Sequence, residues 1–189
     1  MKRFLFIFLL LLLVFALAVS YAKDEKTKVI LLLTEQNIAG PQRAWWASEI
    51  DLSTTEARVA QKLIETGYEV LEPSNLTKII KQDRAFRMLN LSEGQSVKLG
   101  NLSKAKYVVL GKAIASAGGN VPQSNMRSCF ANITAKLIRV KDGKLVAYLD
   151  AAGNSAHMDV VTGGREALTN AGDDLALKII DALSREGGK

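Results

Sequence analysis

The apolar positions of this chain change period along its length, and each period predicts a different element. Val29-Ile30-Leu31-Leu32-Leu33 is an unbroken apolar run between polar residues, the length of a strand buried on both faces. From Glu35 to Asp51 no period persists and Gly40-Pro41 interrupts the chain, which predicts a long loop. Ser53-Thr54-Thr55-Glu56 reads as a capping box opening a helix, with Ala57, Val59, Ala60, Leu63 and Ile64 largely on one side. Gly67 supplies the left-handed residue that closes that helix. Tyr68-Glu69-Val70-Leu71 is then a short strand, ended by Pro73. Helical turns follow from Ser74 or Asn75, from Arg84 to Leu89, and from Ser92 to about Ser103, with Ser92-Glu93-Gly94-Gln95 as a second capping box.

The second half reads differently. Tyr107-Val108-Val109-Leu110-Gly111 predicts a buried strand extending through Ile114, and Gly118-Gly119-Asn120 with Pro122 predicts a loop. Between Ser128 and Leu137 the chain alternates: Cys129, Ala131, Ile133, Ala135 and Leu137 face one way, and Asn132, Thr134 and Lys136 the other. That is the signature of an antiparallel strand with one wet face. Asp142-Gly143 predicts a two-residue hairpin turn with positive φ at both positions, followed by a return strand from Leu145. Beyond the flexible pair Gly163-Gly164, Leu168, Ala171, Leu175, Ile179 and Leu183 form one stripe of a helix from about Arg165 to Arg185. The order β-α-β-α-α-β-β-β-α defines an α/β (α+β) single domain, a mixed β-sheet with helices packed against it.

The amino-terminal end stands outside this domain. Lys2 and Arg3 precede an apolar run from Phe4 to Val19, and Ser20-Tyr21-Ala22 places small residues where a signal peptidase cuts. Residues 1–22 are therefore expected to be a signal peptide, and 23–189 a periplasmic domain. The alternative is an uncleaved anchor, although the run is shorter than the roughly 20 residues that span a bilayer. No Cys follows the apolar run, so no lipid attachment is expected.

Composition removes several classes of chemistry. The chain has one Cys and one His among 189 residues, so neither a disulfide framework nor a metal site is expected. The formal net charge is +6, two units of it from Lys2 and Arg3. The remaining basic residues are scattered along the chain, which points to a solvated surface and to neither nucleic acid nor a membrane patch. His157 has Asp150 and Asp159 near it in sequence but no nucleophile motif; Cys129 belongs to the apolar side of a strand. Gly163-Gly164-Arg165 lacks the spacing of a phosphate loop, and Asp173-Asp174 lacks that of a calcium loop. No cofactor and no catalytic residue is expected. The one segment that invites a functional reading is Pro41-Gln42-Arg43-Ala44-Trp45-Trp46, which holds both tryptophans of the chain beside an arginine. Arg43, Trp45 and Trp46 are candidate partner-binding residues; the other reading is that the indoles fold back over the sheet or the next helix.

Three segments carry a family resemblance. Thr55 to Leu71, Ala105-Lys106-Tyr107-Val108-Val109-Leu110-Gly111, and the hairpin Ala135 to Ala147 with its Val-x-x-Gly-Lys turn resemble a group of envelope proteins. The group comprises the periplasmic domain of the curli secretion protein CsgG, the penicillin-binding-protein activator LpoB, the TolB amino-terminal domain and the FlgT middle domain. The resemblance covers nearly all of residues 23–189. It implies a non-enzymatic assembly or scaffolding module of the bacterial envelope that binds envelope proteins, itself among them. The alternative function is a small-ligand-binding or hydrolytic periplasmic protein built on the loop ends near Trp45, His157 and Arg165.

Overall fold

The computed structural model describes residues 26–38, 40–41, 53–71 and 92–187. Six strands and three helices occupy them: β1 (Lys28–Asn37), β2 (Gly40–Pro41), α1 (Thr54–Glu65), β3 (Glu69–Val70), α2 (Glu93–Leu102), β4 (Tyr107–Asn120), β5 (Arg127–Arg139), β6 (Leu145–His157) and α3 (Val160–Gly187). They form one mixed sheet of order β2-β1-β4-β5-β6, with β3 beside β1. β1 pairs parallel with β4 and β3, while β4, β5 and β6 run antiparallel in sequence. The predicted helical turns between Ser74 and Leu89 lie outside the described residues.

Strand periodicity sorts the side chains onto two faces. Val29, Leu31 and Leu33, Val109 and Ala113, Cys129 to Leu137 at odd numbers, and Leu149 and Ala151 face α1 and α3, where Val59, Leu63, Leu168, Leu175 and Ile179 complete one core. Ile30, Leu32 and Val108 face the other way and meet Leu99 of α2, Ala105 and Val140 in a smaller core. Among the described residues, both cores lie between Val29 and Leu183.

The helix ends follow from local hydrogen bonding. Ser92 accepts from the Gln95 amide while Gln95 Oε1 accepts from the Ser92 amide, a complete capping box. At α1 only half of the predicted box forms. Ser53 Oγ accepts from the Glu56 amide at 3.1 Å, but the Glu56 side chain turns inward and is buried. Gly67, at φ 92°, ends the helix as expected.

Three further expectations are corrected. The loop predicted from Glu35 begins later: β1 runs on to Asn37, and Gly40–Pro41 pairs back onto it. Its continuation is polar, since Glu35 and Asn37 are buried on the core side. The last helix begins at Val160, not Arg165, and Gly163 and Gly164 are buried within it. They are glycines because the helix lies against its neighbours there: a Cβ on Gly163 would sit 2.6 Å from Cys129 Sγ, and one on Gly164 2.4 Å from Asn37 Oδ1. The β5–β6 hairpin is not a two-residue turn. Residues 140–144 connect the strands, the Arg139 amide donates to the Lys144 carbonyl at 2.9 Å, and only Gly143 takes positive φ, at 66°. Asp142 serves as a side-chain anchor instead, since Arg139 Nε and Nη2 donate to its two carboxylate oxygens at 3.0 and 2.8 Å.

Candidate interaction surface

The expected absence of assembled catalysis can be set against where the structure puts the candidate groups. His157 is the last residue of β6, and its Nδ1 accepts from the Asp159 amide at 3.0 Å. Asp159 in turn caps α3, its carboxylate accepting from the Thr162 amide at 2.9 Å and the Thr162 hydroxyl at 2.6 Å. Those bonds hold the Asp159 carboxyl below its ordinary range. Cys129 is fully buried beneath the first turn of α3, with the Val160 carbonyl 3.8 Å from its sulfur. His157 and Cys129 are thus engaged in seating the helix. Neither His157 nor Arg165 lines the cleft between β6 and α3, the cleft at the start of β1 and β4, or the cleft along the β5–β6 boundary. No group of three or more His, Cys, Asp or Glu side chains suited to a metal occurs among the described residues. Arg43, Trp45 and Trp46 lie outside the described residues.

A partner that joins a sheet can use an edge or a face. The outer edge is β6, and α3 covers its middle with a polar ladder at four-residue spacing. Asn170 Nδ2 donates to the Asn154 carbonyl at 2.8 Å, Asp174 Oδ2 accepts from the Ala152 amide at 3.2 Å, and Lys178 Nζ donates to the Asp150 carbonyl at 2.6 Å. The Lys178 hydrogen bond, joined by the Ala152 amide, keeps Asp174 ionised below the usual carboxylate range. Three of the backbone groups that would template a further strand are therefore already bonded. At the other side of the sheet β1 is joined by β2 and β3, and beneath it Glu35 Oε2 accepts from the Thr55 amide at 2.8 Å. Beside it Glu56 is pushed well above the normal carboxyl range, first by burial, then by the charge of Glu35, with a backbone bond from Leu33 offsetting part. Glu56 Oε2 and Thr55 Oγ1 are buried without hydrogen-bond partners.

Among the described residues, the face opposite α1 and α3 is open. α2 covers only the end of the sheet where β4 begins, and beyond it the even-numbered residues form cross-strand rows. Lys112, Thr134 and Asp150 make one row, Ile114, Asn132 and Ala152 the next, and Ser116, Phe130 and Asn154 the third. Ile114 is 38% exposed, Phe130 45% and Tyr148 66%. The Phe130 ring lies across Gly118, where a Cβ would fall 2.5 Å from its Cε2. A shallow cleft lined by Phe130, Asn132, Ala152, Asn154 and Asn170 runs along the β5–β6 boundary. Nearer α2, Lys136 is joined to Glu93 and lies 5.3 Å from the Tyr148 ring centroid. Sequence reasoning identified the wet face of β5 but not its apolar members: Phe130 stands in the alternation as one wet position among polar ones.

No family model matches the chain, and no curated protein matches it. Among solved structures, the chain is similar to the lipoprotein GNA1162 from Neisseria meningitidis, at 15% identity and a TM-score of 0.45 over 86% of this chain and 98% of that one. It is similar also to the LpoB C-terminal domain from Salmonella enterica, at 15% identity and a TM-score of 0.42 over 68% and 85%. A third likeness is to the PelC dodecamer from Paraburkholderia phytofirmans, at 13% identity and a TM-score of 0.41 over 84% and 86%. No helix among the described residues is long and apolar enough to cross a membrane.

Proposed function

We propose that this chain is a non-enzymatic protein-binding or assembly module of the bacterial cell envelope, exported to the periplasm without lipidation, and that its partner docks on the open end of the sheet. The observation that carries the reading is the set of exposed apolar side chains Ile114, Phe130 and Tyr148 on a face that no helix of the described residues covers beyond α2, next to an edge that α3 side chains engage at three backbone groups. An aromatic and a branched aliphatic side chain among uncharged Asn, Ser and Ala neighbours form a centre that loses little on desolvation. The resemblance of Thr55–Leu71, Ala105–Gly111 and Ala135–Ala147 to the CsgG, LpoB, TolB and FlgT domains supports an assembly role. Arg43, Trp45 and Trp46 belong to the proposal as a second contact region. The test is a double variant, Ile114→Ser with Phe130→Ser. It should melt within a few degrees of the parent, since both side chains are already partly wet, yet lose the envelope proteins that co-purify with the parent. Retention of the same partners by a folded double variant would refute the docking face.

A further inference from the structure

Lysines that are dispersed along the sequence converge in the fold. Sheet pairing brings the start of β1, the start of β4 and the turn after β5 to one end: the Lys106 amide donates to the Lys28 carbonyl at 2.9 Å, and the Val140 amide to the Lys106 carbonyl at 3.0 Å. α2 ends beside them, where Lys104 takes a left-handed φ of 57° and so turns the chain toward β4. A cleft of about 510 Å³ opens there, lined by Lys26, Lys28, Lys104, Lys106 and Lys141 together with Asn101, and no carboxylate is among its lining residues. Lys28 reaches Glu69 at 4.0 Å. Lys106 Nζ lies 5.7 Å from the Tyr107 ring centroid. Among the described residues, Lys26, Lys104, Lys106 and Lys141 form no ion pair, and all four side chains are exposed. The cleft between β6 and α3 is the counter-example. It too is lined by cations, Lys178 and Arg185, but these meet Asp174 at 2.8 Å and Asp181 at 2.6 Å.

We infer that the lysine cleft is a docking surface for an anionic lipid bilayer, gripped through headgroup phosphates. Lys26, Lys104, Lys106 and Lys141 are like charges kept together without an ion-pair partner among the described residues, and such a field draws a partner of opposite sign. Five flexible ammonium groups around a shallow opening suit a field of many phosphates; one buried anion would call for a bidentate arginine fork. The position of the cleft selects the bilayer as the source of those phosphates. Lys26, the first described residue, lies on the rim of the cleft, and the apolar run ending at Val19 lies seven residues upstream. That connection extends at most about 25 Å, so, on the export reading proposed above, this end of the domain is held close to the headgroups until the leader is cleaved. The open face around Ile114 and Phe130 lies farther along β4 and β5, away from the cleft, and remains accessible when the lysine end is down.

The test uses residues 23–189, which retain both cores whole. The protein is sedimented with vesicles of phosphatidylcholine alone or with 30% phosphatidylglycerol. The anionic vesicles should bind at least ten times more protein, and the excess should vanish in high salt, because exposed charges are screened. With roughly fivefold per lysine near a charged surface, Lys104→Gln, Lys106→Gln and Lys141→Gln combined should weaken binding about a hundredfold. The corresponding triple arginine variant should bind like the parent, as should Lys178→Gln with Arg185→Gln. Equal binding to the two vesicle types, or an unimpaired triple glutamine variant, overturns the inference. So does inorganic phosphate that binds saturably and displaces the vesicles at constant ionic strength, which would mark a discrete anion site.

Discussion

Cys129, Ala131, Ile133, Ala135 and Leu137 on one side of β5 are at most 1% exposed, whereas Phe130, Asn132 and Thr134 on its other side face solvent. The difference between the two faces lies in residue size as much as in polarity. Under the first turns of α3 the sheet presents Cys129, Ala131 and Gly153, and α3 answers with Gly163, Ala167 and Ala171, so that end of the helix settles almost onto the strand backbone. On the open side Ile114, Phe130 and Tyr148 are large, and no helix of the described residues seats on them. Smallness on both partners therefore marks where this helix comes closest, and large apolar groups among polar ones mark where nothing in the described residues does.

Substitutions on the two faces should break this comparison in a graded way. Leu168→Ala, from the fully buried stripe of α3, should cost about 2–5 kcal/mol in denaturant melts, while Ile114→Ala on the open face should cost well under about 1 kcal/mol. Gly153→Ala comes next. Its Cβ would lie 2.2 Å from the Ala167 carbonyl oxygen and 2.3 Å from the Ala171 nitrogen, both backbone, so about 1–3 kcal/mol should be lost as α3 is pushed away. Gly119→Ala, with nothing within 4 Å, should change stability by less than about 0.5 kcal/mol. If the two glycine variants melt together, the close approach of α3 is wrong.

The hairpin gives a comparable effect at one position and a smaller one at its neighbour. Gly143→Val places a β-branched residue at positive φ and should cost about 1–3 kcal/mol. Asp142→Asn weakens the paired bonds to Arg139, which lie at the surface, and should be nearly neutral, with any difference masked by salt. A Gly143→Val variant as stable as the parent would contradict the single left-handed position in this turn.

Glu56 sharpens the contrast from the closed side. Burial raises its carboxyl above the unfolded value, so the folded state holds this proton more firmly than the unfolded chain does. The associated stability is full below the unfolded pKa of about 4.3 and is lost as pH rises through the raised, folded value. Glu56→Gln, which carries no such titration, should therefore match the parent near pH 4 and exceed it in stability at neutral pH, the gap opening as pH rises above the unfolded value. A variant less stable than the parent at neutral pH would show that the carboxylate is stabilised there.

How far the sequence disclosed all this depends on what each residue was doing. The β5 alternation, the α3 stripe and the Ser92 capping box were legible because each is a local pattern with a local cause. The full length of β1 was hidden because Glu35 and Asn37 are polar residues turned toward the core: Glu35 holds the Thr55 amide, and Asn37 Nδ2 reaches the Val161 carbonyl at 3.4 Å. Buried polar anchors mimic a loop in any hydrophobicity reading. Gly163-Gly164 read as a flexible entry because the same residue serves flexibility and close packing alike. The lysine cleft was illegible for a different reason. Its members come from the start of β1, the end of α2, the start of β4 and the hairpin turn, and only the sheet register brings them together. Arg43, Trp45 and Trp46, the residues singled out for binding, lie outside the described residues.

The most direct test of the docking face is a photo-crosslinking residue placed in living cells at position 130, at position 114, and at Glu166 on the exposed side of α3. A partner docked on the open face should give an adduct of the same mass at 130 and 114 and none at 166. An adduct at 166 alone, or none at 130 and 114 in cells where the protein is functional, would contradict the open face as the place where this module meets its partner.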